Sequence, residues 1–265
     1  MLDPATSVCV HPPAGPLFHP ASGSDLPDCF LANVRPGNRV LVAIHGVSRN
    51  AAEIAARFAA DPAYREVTIV APLFDRKQFG KYQQMIAERP GSIPADQALL
   101  GLLASLERSH GLDCGKVLLF GFSGGAQMAH RFAMFHPAKV KRLCVVSAGW
   151  YTLPNTKLSY PYGLADAPSH AAIGSEFLEI PTVVMVGSRD TRVDHSVRQD
   201  PQIIQHQGRN RLRRARVWVK MMQVRAASCG HEPDIHLVTV PDVSHDFGQS
   251  VKEGNLMGLV AEALL

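Results

Sequence analysis

The stretch VLLFGFSGGAQMAH, residues 117–130, joins a short apolar run to a helical pattern through a glycine-rich turn that holds one serine. An apolar run without polar alternation is typical of a strand buried on both faces of a sheet. A sharp turn from such a strand into a helix places Ser123 at its apex, with the side chain above the sheet. Gly121 and Gly125 lack the side chains that would collide with this turn. The stretch therefore predicts an exposed serine at a helix N-terminus, where free backbone amides favour negative charge.

Similar apolar blocks recur along the chain and alternate with helical patterns. Alternation of buried strands with helices is typical of an α/β fold with a mostly parallel sheet and helices on both faces. We predict a single domain of this kind over residues 1–265, in which residues 1–35 form an irregular lead-in or edge hairpin. The predicted strands cover residues 40–44, 67–71, 117–121, 143–147, 182–186 and 236–240, and the predicted helices residues 51–60, 95–109, 124–135, 209–227 and 249–264.

The composition of the chain indicates a folded, soluble protein. Its 265 residues are 46% hydrophobic and 19% charged, which is enough for a sizeable core. No apolar run reaches the length of a membrane span, and the N-terminus lacks the basic start and apolar block of a secretory signal. We therefore expect a cytoplasmic protein without membrane contact. Five cysteines without a CxxC pair predict neither a disulfide framework nor a metal site.

Polar side chains follow the ends of several predicted strands, at the edge of the sheet where ligands bind in folds of this kind. Ser123, Asp190 and His245 lie there in that chain order. A serine hydroxyl is a weak nucleophile that needs a base to take its proton, and the base needs an acid to orient it. His245 follows the last strand and can be that base. Asp190 lies just beyond a strand end and can be the acid, with Asp194 as the alternative.

These motifs together resemble the α/β-hydrolase family: GFSGG at residues 121–125, HGVS at residues 45–48, GSRD at residues 187–190 and a histidine after the last strand. The resemblance extends from about residue 40 onward, and its narrower form is to bacterial esterases related to polyhydroxybutyrate depolymerases and feruloyl esterases. It implies Ser123 as nucleophile, Asp190 as acid and His245 as base. It also implies the backbone amides of Val47 and Gly124 as the oxyanion hole. Many lipases carry HGGG where this chain has HGVS, so bulky or tertiary esters are not implied.

The function that the resemblance implies is the hydrolysis of a small-molecule carboxylic ester, by two-step acyl transfer to water and without a metal ion or organic cofactor. Two alternatives stay open. A peptidase, amidase or acyltransferase could use the same three side chains, although the chain has no room for a large cap domain. A non-catalytic binding protein could share the fold, although all three residue types of a serine triad are present.

A long connection at residues 150–180 leaves the predicted sheet beside Ser123. Connections of this length in a compact fold are commonly functional, and the aromatic content of this one argues against disorder. We predict a small lid or pocket wall that supplies apolar surface to the substrate. The pocket residues expected from it are Trp150, Tyr151, Tyr160 and Tyr162.

Residues 209–216 contain five arginines, which raises the question of nucleic-acid binding. The helix that they open also carries apolar residues, and neither an aromatic platform nor a recognition motif accompanies it. We therefore predict a solvated basic helix face and no nucleic-acid partner. A role toward an acidic substrate or a partner surface stays open, as does the oligomeric state.

Overall fold

A computed structural model of the chain describes residues 15–168, 174–194 and 196–265. Within these ranges one sheet is formed by β1 (Leu17–His19), β2 (Asp28–Ala32), β3 (Arg39–Ile44), β4 (Val67–Leu73), β5 (Asp113–Phe122), β6 (Val140–Val146), β7 (Thr182–Gly187) and β8 (Ile235–Val240). The strand order is β1-β2-β4-β3-β5-β6-β7-β8. β2 is antiparallel to both neighbours, and the other pairs are parallel. The mostly parallel sheet predicted from the sequence is confirmed.

Helices connect these strands and cover the sheet. They are α1 (Ala51–Ala60), α2 (Ala95–His110), α3 (Gly124–Phe135), α4 (Ser175–Leu178), α5 (Pro201–Gln207), α6 (Arg211–Ser228), α7 (Phe247–Lys252) and α8 (Leu256–Leu264). Short 3₁₀ helices occupy Pro62–Tyr64, Tyr82–Gln84 and Pro137–Lys139.

The apolar core forms two clusters, one on each face of the sheet. Val40 and Val42 of β3 belong to the cluster that contains α2, α3 and α6. Leu41 and Ala43 belong to the cluster that contains α1, α7 and α8. Because both faces of β3 are buried, its sequence shows no polar alternation. The predicted doubly covered sheet is therefore the arrangement that the chain adopts.

The sequence predicts one continuous helix over residues 249–264, and this prediction is wrong. The chain forms α7 and α8 there, with a break between them. A Cβ on Gly254 would lie 2.7 Å from a methyl carbon of Val240 and 2.8 Å from one of Val243, so only glycine fits at this close approach. Asn255 follows with φ of 48°, a left-handed conformation at the residue that precedes α8.

The irregular regions of the chain are described in part. β1 and β2 form an antiparallel pair at the edge of the sheet, where the sequence suggested a lead-in or an edge hairpin. Residues 1–14 of that segment and residues 169–173 of the connection between β6 and β7 lie outside the described residues.

Two structural features bear on possible partners. Among the described residues, none of the helices combines the length and the apolar character that a transmembrane span requires. In the same part of the chain, no group of three or more His, Cys, Asp or Glu side chains is arranged to hold a metal ion. The described cysteines are free thiols, and Cys29, Cys114 and Cys144 are buried.

The centre of the sheet is where the chain changes its winding direction. β4 lies on one side of β3 and β5 on the other. The helices that follow β3 and β4, α1 and α2, lie on opposite faces of the sheet. In open α/β sheets, ligands bind beyond the carboxyl ends of the strands at such a switch point. The turn after β3 carries Val47, and the turn after β5 carries Ser123.

Candidate active site

The turn between β5 and α3 holds Ser123 in a conformation that side-chain-bearing residues rarely adopt, with φ of 54° and ψ of −110°. Its amide donates a hydrogen bond to the Val146 carbonyl at 2.8 Å, which ties the turn to β6. The Ser123 side chain faces a cavity beyond the carboxyl ends of the strands. The turn therefore presents a hydroxyl group at the switch point.

His245 and Asp190 continue from Ser123 in a chain of hydrogen bonds. Ser123 Oγ lies 3.0 Å from His245 Nε2, and His245 Nδ1 lies 3.0 Å from Asp190 Oδ2. The Asp190 side chain is 1% exposed and that of His245 is 23% exposed. A carboxylate can only accept, so Nδ1 carries the imidazole proton and Nε2 is left to accept the serine proton.

The turns after β7 and β8 bring the acid and the histidine together. The Ser188 amide donates to the Val240 carbonyl at 2.8 Å, and the Arg189 amide donates to the Val243 carbonyl at 3.0 Å. The imidazole of His245 stacks on Phe122, with ring centroids 5.5 Å apart and planes at 22°. The two backbone bonds join the loop of Asp190 to the loop of His245, and Phe122 supports one face of the imidazole.

Asp194, the alternative acid, has a different environment. It lies on an exposed part of the loop after β7. Its Oδ1 accepts hydrogen bonds from the Ser196 amide at 2.8 Å and the Ser196 hydroxyl at 2.6 Å. Of the two carboxylates, Asp190 is the one bonded to His245.

The backbone amides of Val47 and Gly124 lie beside each other at the serine. A Cβ on Gly124 would be 3.3 Å from the Val47 nitrogen, so the two turns approach closely. Within the described ranges, neither amide donates a hydrogen bond. Gly124 is the first residue of α3, where amides lack an intrahelical acceptor. The two donors are thus available to an anionic oxygen next to Ser123.

A buried histidine braces the turn that carries Val47. His45 Nδ1 lies 2.8 Å from the Gly46 carbonyl, and its Nε2 accepts the Phe74 amide at 3.0 Å. Burial lowers the pKa of His45 to about 4, so the imidazole is neutral near pH 7. His45 therefore acts as a structural hydrogen-bonding group rather than as a second base.

Tyr82 and Arg49 also hold this turn, and the sequence did not indicate either residue. Tyr82 Oη donates to the His45 carbonyl at 2.7 Å. The Arg49 guanidinium lies 4.6 Å from the centre of the Tyr82 ring and donates to the Val47 carbonyl at 3.1 Å. No local motif marks them, because Tyr82 reaches the turn from a 3₁₀ helix 37 residues further along the chain.

Arg211 is a further residue of the site that the sequence did not single out. Its guanidinium Nη1 lies 3.2 Å from Asp190 Oδ1, and its side chain is 4% exposed. It also lines the cavity that contains Ser123. The run of five arginines was a visible signal, but it gave no indication of which side chains point inward.

The prediction of a solvated basic face over residues 209–216 is therefore corrected. Arg211 and Arg214 are buried, whereas the other three arginines of the segment are exposed. Arg214 donates to the carbonyls of Gly149 at 2.6 Å and Arg198 at 2.7 Å. Buried polar groups need hydrogen-bond partners. Arg211 provides donors for the Asp190 carboxylate and Arg214 for backbone carbonyls, so these two guanidinium groups are buried.

The cavity at the serine has a volume of about 490 Å³. Its walls combine apolar side chains with amide, hydroxyl and charged groups. The lining residues are Gly46, Val47, Ser48, Asn50, Glu53, Phe122, Ser123, Gln127, Gly149, Ser196, Arg211, His245, Asp246, Phe247 and Gly248. The four aromatic residues expected from the lid, Trp150, Tyr151, Tyr160 and Tyr162, are not among them, and this expectation is corrected.

The lid aromatics instead pack against helices. Tyr151 is buried and stacks on Trp218 of α6, with centroids 5.0 Å apart. Trp150 is buried under the guanidinium of Arg131, 4.3 Å from the ring centre. Thr152, which follows Tyr151, accepts from Arg131 Nε at 2.8 Å and so holds the start of the connection on α3.

The tyrosines further along the connection anchor it to other loops. Tyr160 Oη donates to the Gln84 carbonyl at 2.5 Å. Tyr162 Oη donates to Asp200 Oδ2 at 2.6 Å. Because each hydroxyl has a partner away from Ser123, these side chains hold the connection in place and do not face the serine.

The fold is similar to those of solved hydrolase structures. Poly(aspartic acid) hydrolase-1 from Sphingomonas sp. KT-1 matches with a TM-score of 0.79 and 25% identity, over 94% of this chain and 98% of that one. A poly(3-hydroxybutyrate) depolymerase from Bordetella parapertussis matches with a TM-score of 0.77 and 26% identity, over 94% and 89%. An S-formylglutathione hydrolase from Agrobacterium tumefaciens shares the fold, with a TM-score of 0.58 and 13% identity over 94% and 95%. No family model and no curated protein matches the sequence.

Proposed function

We propose that this chain, an α/β-hydrolase by its fold, is a serine hydrolase that cleaves carboxylic esters through an acyl-enzyme on Ser123. One observation carries the proposal: Ser123 Oγ lies 3.0 Å from His245 Nε2, and His245 Nδ1 lies 3.0 Å from the buried carboxylate of Asp190. In this arrangement the serine can lose its proton to a base that is already oriented.

The first half of the reaction acylates the serine. His245 takes the Ser123 proton as Oγ attacks the ester carbonyl carbon, and the Asp190 carboxylate stabilises the resulting imidazolium. The amides of Val47 and Gly124 bind the oxyanion of the tetrahedral intermediate. Loss of one such donor typically lowers kcat by about 10² to 10³. The imidazolium then gives its proton to the leaving alcohol, and the acyl group stays on Ser123.

The second half releases the acid. Water takes the place of the alcohol and gives a proton to His245 as it attacks the acyl carbon. Collapse of the second intermediate returns the proton to Ser123 Oγ and frees the carboxylic acid. Since His245 supplies and removes each proton, we propose that these steps use no metal ion and no organic cofactor.

The proposed substrate is a small molecule or the end of a larger one. A cavity of about 490 Å³ lies within the range of small-molecule sites. Val47, Phe122 and Phe247 provide apolar surface for an acyl or alcohol group.

An amidase that uses the same residues is the second candidate. One structural neighbour is a poly(aspartic acid) hydrolase, and the bonds that link aspartic acid units are amides. An amine is a poorer leaving group than an alcohol, so amide cleavage makes greater demands on proton donation by His245. Matched p-nitrophenyl esters and p-nitroanilides of the same acyl group distinguish the two reactions.

Labelling with a fluorophosphonate probe, followed by peptide mapping, tests the proposal. We expect one labelled peptide with the probe on Ser123, no labelling in Ser123→Ala, and hydrolysis of p-nitrophenyl esters by the wild-type chain only. Labelling at Ser48 or Ser196, which line the same cavity, would contradict the assignment. Binding of an ester without labelling or turnover would favour a non-catalytic binding protein.

A further inference from the structure

The Asp190 carboxylate is held by two side chains, one on each oxygen. Oδ2 lies 3.0 Å from His245 Nδ1, and Oδ1 lies 3.2 Å from Arg211 Nη1. The side chains of Asp190 and Arg211 are 1% and 4% exposed. Burying a carboxylate is costly unless charged or hydrogen-bonding partners hold it. Arg211 provides that partner on the side away from the histidine.

Arg211 is itself fixed by the loop after β7. Its Nη2 donates to the Ser196 carbonyl at 3.2 Å and to the Ser196 hydroxyl at 3.1 Å. The two Nη groups of a planar guanidinium are held at a constant angle, so binding Ser196 with one sets the direction of the other. The guanidinium therefore approaches Asp190 from one direction only.

The backbone of α6 supports the same carboxylate turn. The amide of Leu212 lies 3.4 Å from the Asp190 carbonyl. Arg211 and Leu212 are the first residues of an 18-residue helix, so Asp190 lies at its positive end. The side chain of Arg211 and the backbone of Leu212, both in the first turn of α6, thus hold the position of the acid.

We propose that Arg211 is a positioning residue for this site. By holding Oδ1 it sets the rotation of the Asp190 carboxylate, so that Oδ2 accepts the Nδ1 proton of His245 and Nε2 faces Ser123. This inference rests on the proposed serine hydrolase function. It adds that the rate of acylation depends on a guanidinium that need not touch the substrate.

A purely structural role predicts a different pattern, and Arg214 is the matched control for it. Arg214 is a buried arginine one turn further along α6, and it donates to backbone carbonyls rather than to a carboxylate. Loss of either arginine removes several hydrogen bonds and should lower the melting temperature. Only the loss of Arg211 should release Asp190.

The experiment compares Arg211→Met, Arg211→Lys and Arg214→Met by the rate of fluorophosphonate labelling and by kcat and KM on a p-nitrophenyl ester, below their melting temperatures. We expect Arg211→Met to lower kcat and labelling by about 10- to 100-fold, the usual effect of a misplaced catalytic group, with KM within about threefold. Lysine keeps the positive charge but lacks the planar pair of donor groups, so kcat and labelling of Arg211→Lys should lie between those of wild type and Arg211→Met. Arg214→Met should keep kcat within about threefold of wild type.

A double-mutant cycle separates positioning from general damage. Asp190→Asn removes the carboxylate that Arg211 holds, so Arg211→Met should lower kcat by less than about threefold further in that background. The inference is wrong if the losses in kcat from Arg211→Met and Asp190→Asn multiply in the double variant. It is also wrong if Arg211→Met and Arg214→Met lower kcat by the same factor. If Arg211→Met does not fold, Arg211→Lys decides: unchanged kcat and labelling would overturn the inference.

A readout that does not depend on turnover keeps this inference distinct from the proposed function. The Nδ1 proton of His245, bonded to Asp190, should give a low-field proton resonance in NMR spectra of the wild type. We expect that resonance to shift or vanish in Arg211→Met and to persist in Arg214→Met. If the wild type is neither labelled nor active but the resonance still changes only in Arg211→Met, the proposed hydrolase function is refuted and the positioning role is not. An unchanged resonance in Arg211→Met would refute the positioning role.

Discussion

Gly121 and Gly125 face each other across the turn at Ser123 so closely that a Cβ on Gly121 would overlap the Gly125 carbonyl group. A Cβ on Gly125 would in turn overlap the carbonyl of Ile44, the last residue of β3. The first turn of α3 therefore packs directly on the backbone of two strands. This contact places Gly124 next to Val47 and leaves the serine at the apex.

The first prediction concerns the stability of this turn. Gly121→Ala should lower the free energy of unfolding by about 3 kcal/mol, since the added methyl group meets backbone atoms that have no room to move. Gly46→Ala is the control, because its Cβ would lie 3.5 Å or more from its neighbours, an ordinary contact distance. Urea denaturation followed by circular dichroism measures both. Equal losses in the two variants would contradict the steric explanation.

The second prediction separates the two acids after β7. Asp190→Asn should lower kcat by at least about 100-fold, since the amide can leave His245 in the wrong tautomer, a defect that lowers turnover by about 10⁴ in a serine protease with the same triad. Asp194→Asn should keep kcat within about threefold, because Asp194 bonds to Ser196 on an exposed loop. Steady-state kinetics on one p-nitrophenyl ester checks both, and the reverse pattern would make Asp194 the acid.

The fold was largely predictable because its signals are local. Each buried strand of the parallel sheet is a short run of Val, Ile and Leu, and each long helix begins near a glycine, a proline or a polar residue. Ser123, Asp190 and His245 follow strand ends, and parallel strands bring their carboxyl ends to one edge. The structure accordingly places these three side chains in one chain of hydrogen bonds.

The surroundings of the site were not predictable from local patterns. Arg211 is buried because Asp190, 21 residues earlier, needs a partner, and a helix that mixes arginine with apolar residues does not show which arginine turns inward. Tyr151 was expected at the substrate because of its place in the chain. It is instead in the core, because Trp218, from a helix far along the sequence, provides a stacking partner.

The third prediction concerns acid stability. Burial lowers the pKa of His45 to about 4 and that of His130 well below its usual range. The unfolded chain binds these protons from about pH 6.5 downward, whereas the folded chain keeps the imidazoles neutral. The stabilisation is therefore fully present above about pH 6.5 and is lost as the pH falls toward 4.

The expected loss from His45 alone is about 2 kcal/mol between about pH 7 and about pH 5. The free energy of unfolding, measured by urea denaturation across that interval, checks it. His236→Gln, at a side chain that is 64% exposed, is the control for the loss of a surface histidine. A flat profile in the wild type would show that the two buried histidines do not have lowered pKa values.

The last prediction decides what the aromatic connection does. Tyr160 donates to the Gln84 carbonyl away from the cavity, whereas Phe247 lines the cavity and packs edge-to-face on Phe122 at 5.2 Å. Tyr160→Phe should therefore lower the free energy of unfolding by about 1 kcal/mol and leave the preference among acyl chain lengths unchanged. Phe247→Leu removes apolar surface at the substrate and should change the ratio of kcat/KM for octanoate and acetate esters by about fivefold, roughly the effect of one methylene group. The p-nitrophenyl ester series measures this ratio in both variants. If instead this ratio changes in Tyr160→Phe and not in Phe247→Leu, the connection between β6 and β7 is the lid that contacts the substrate.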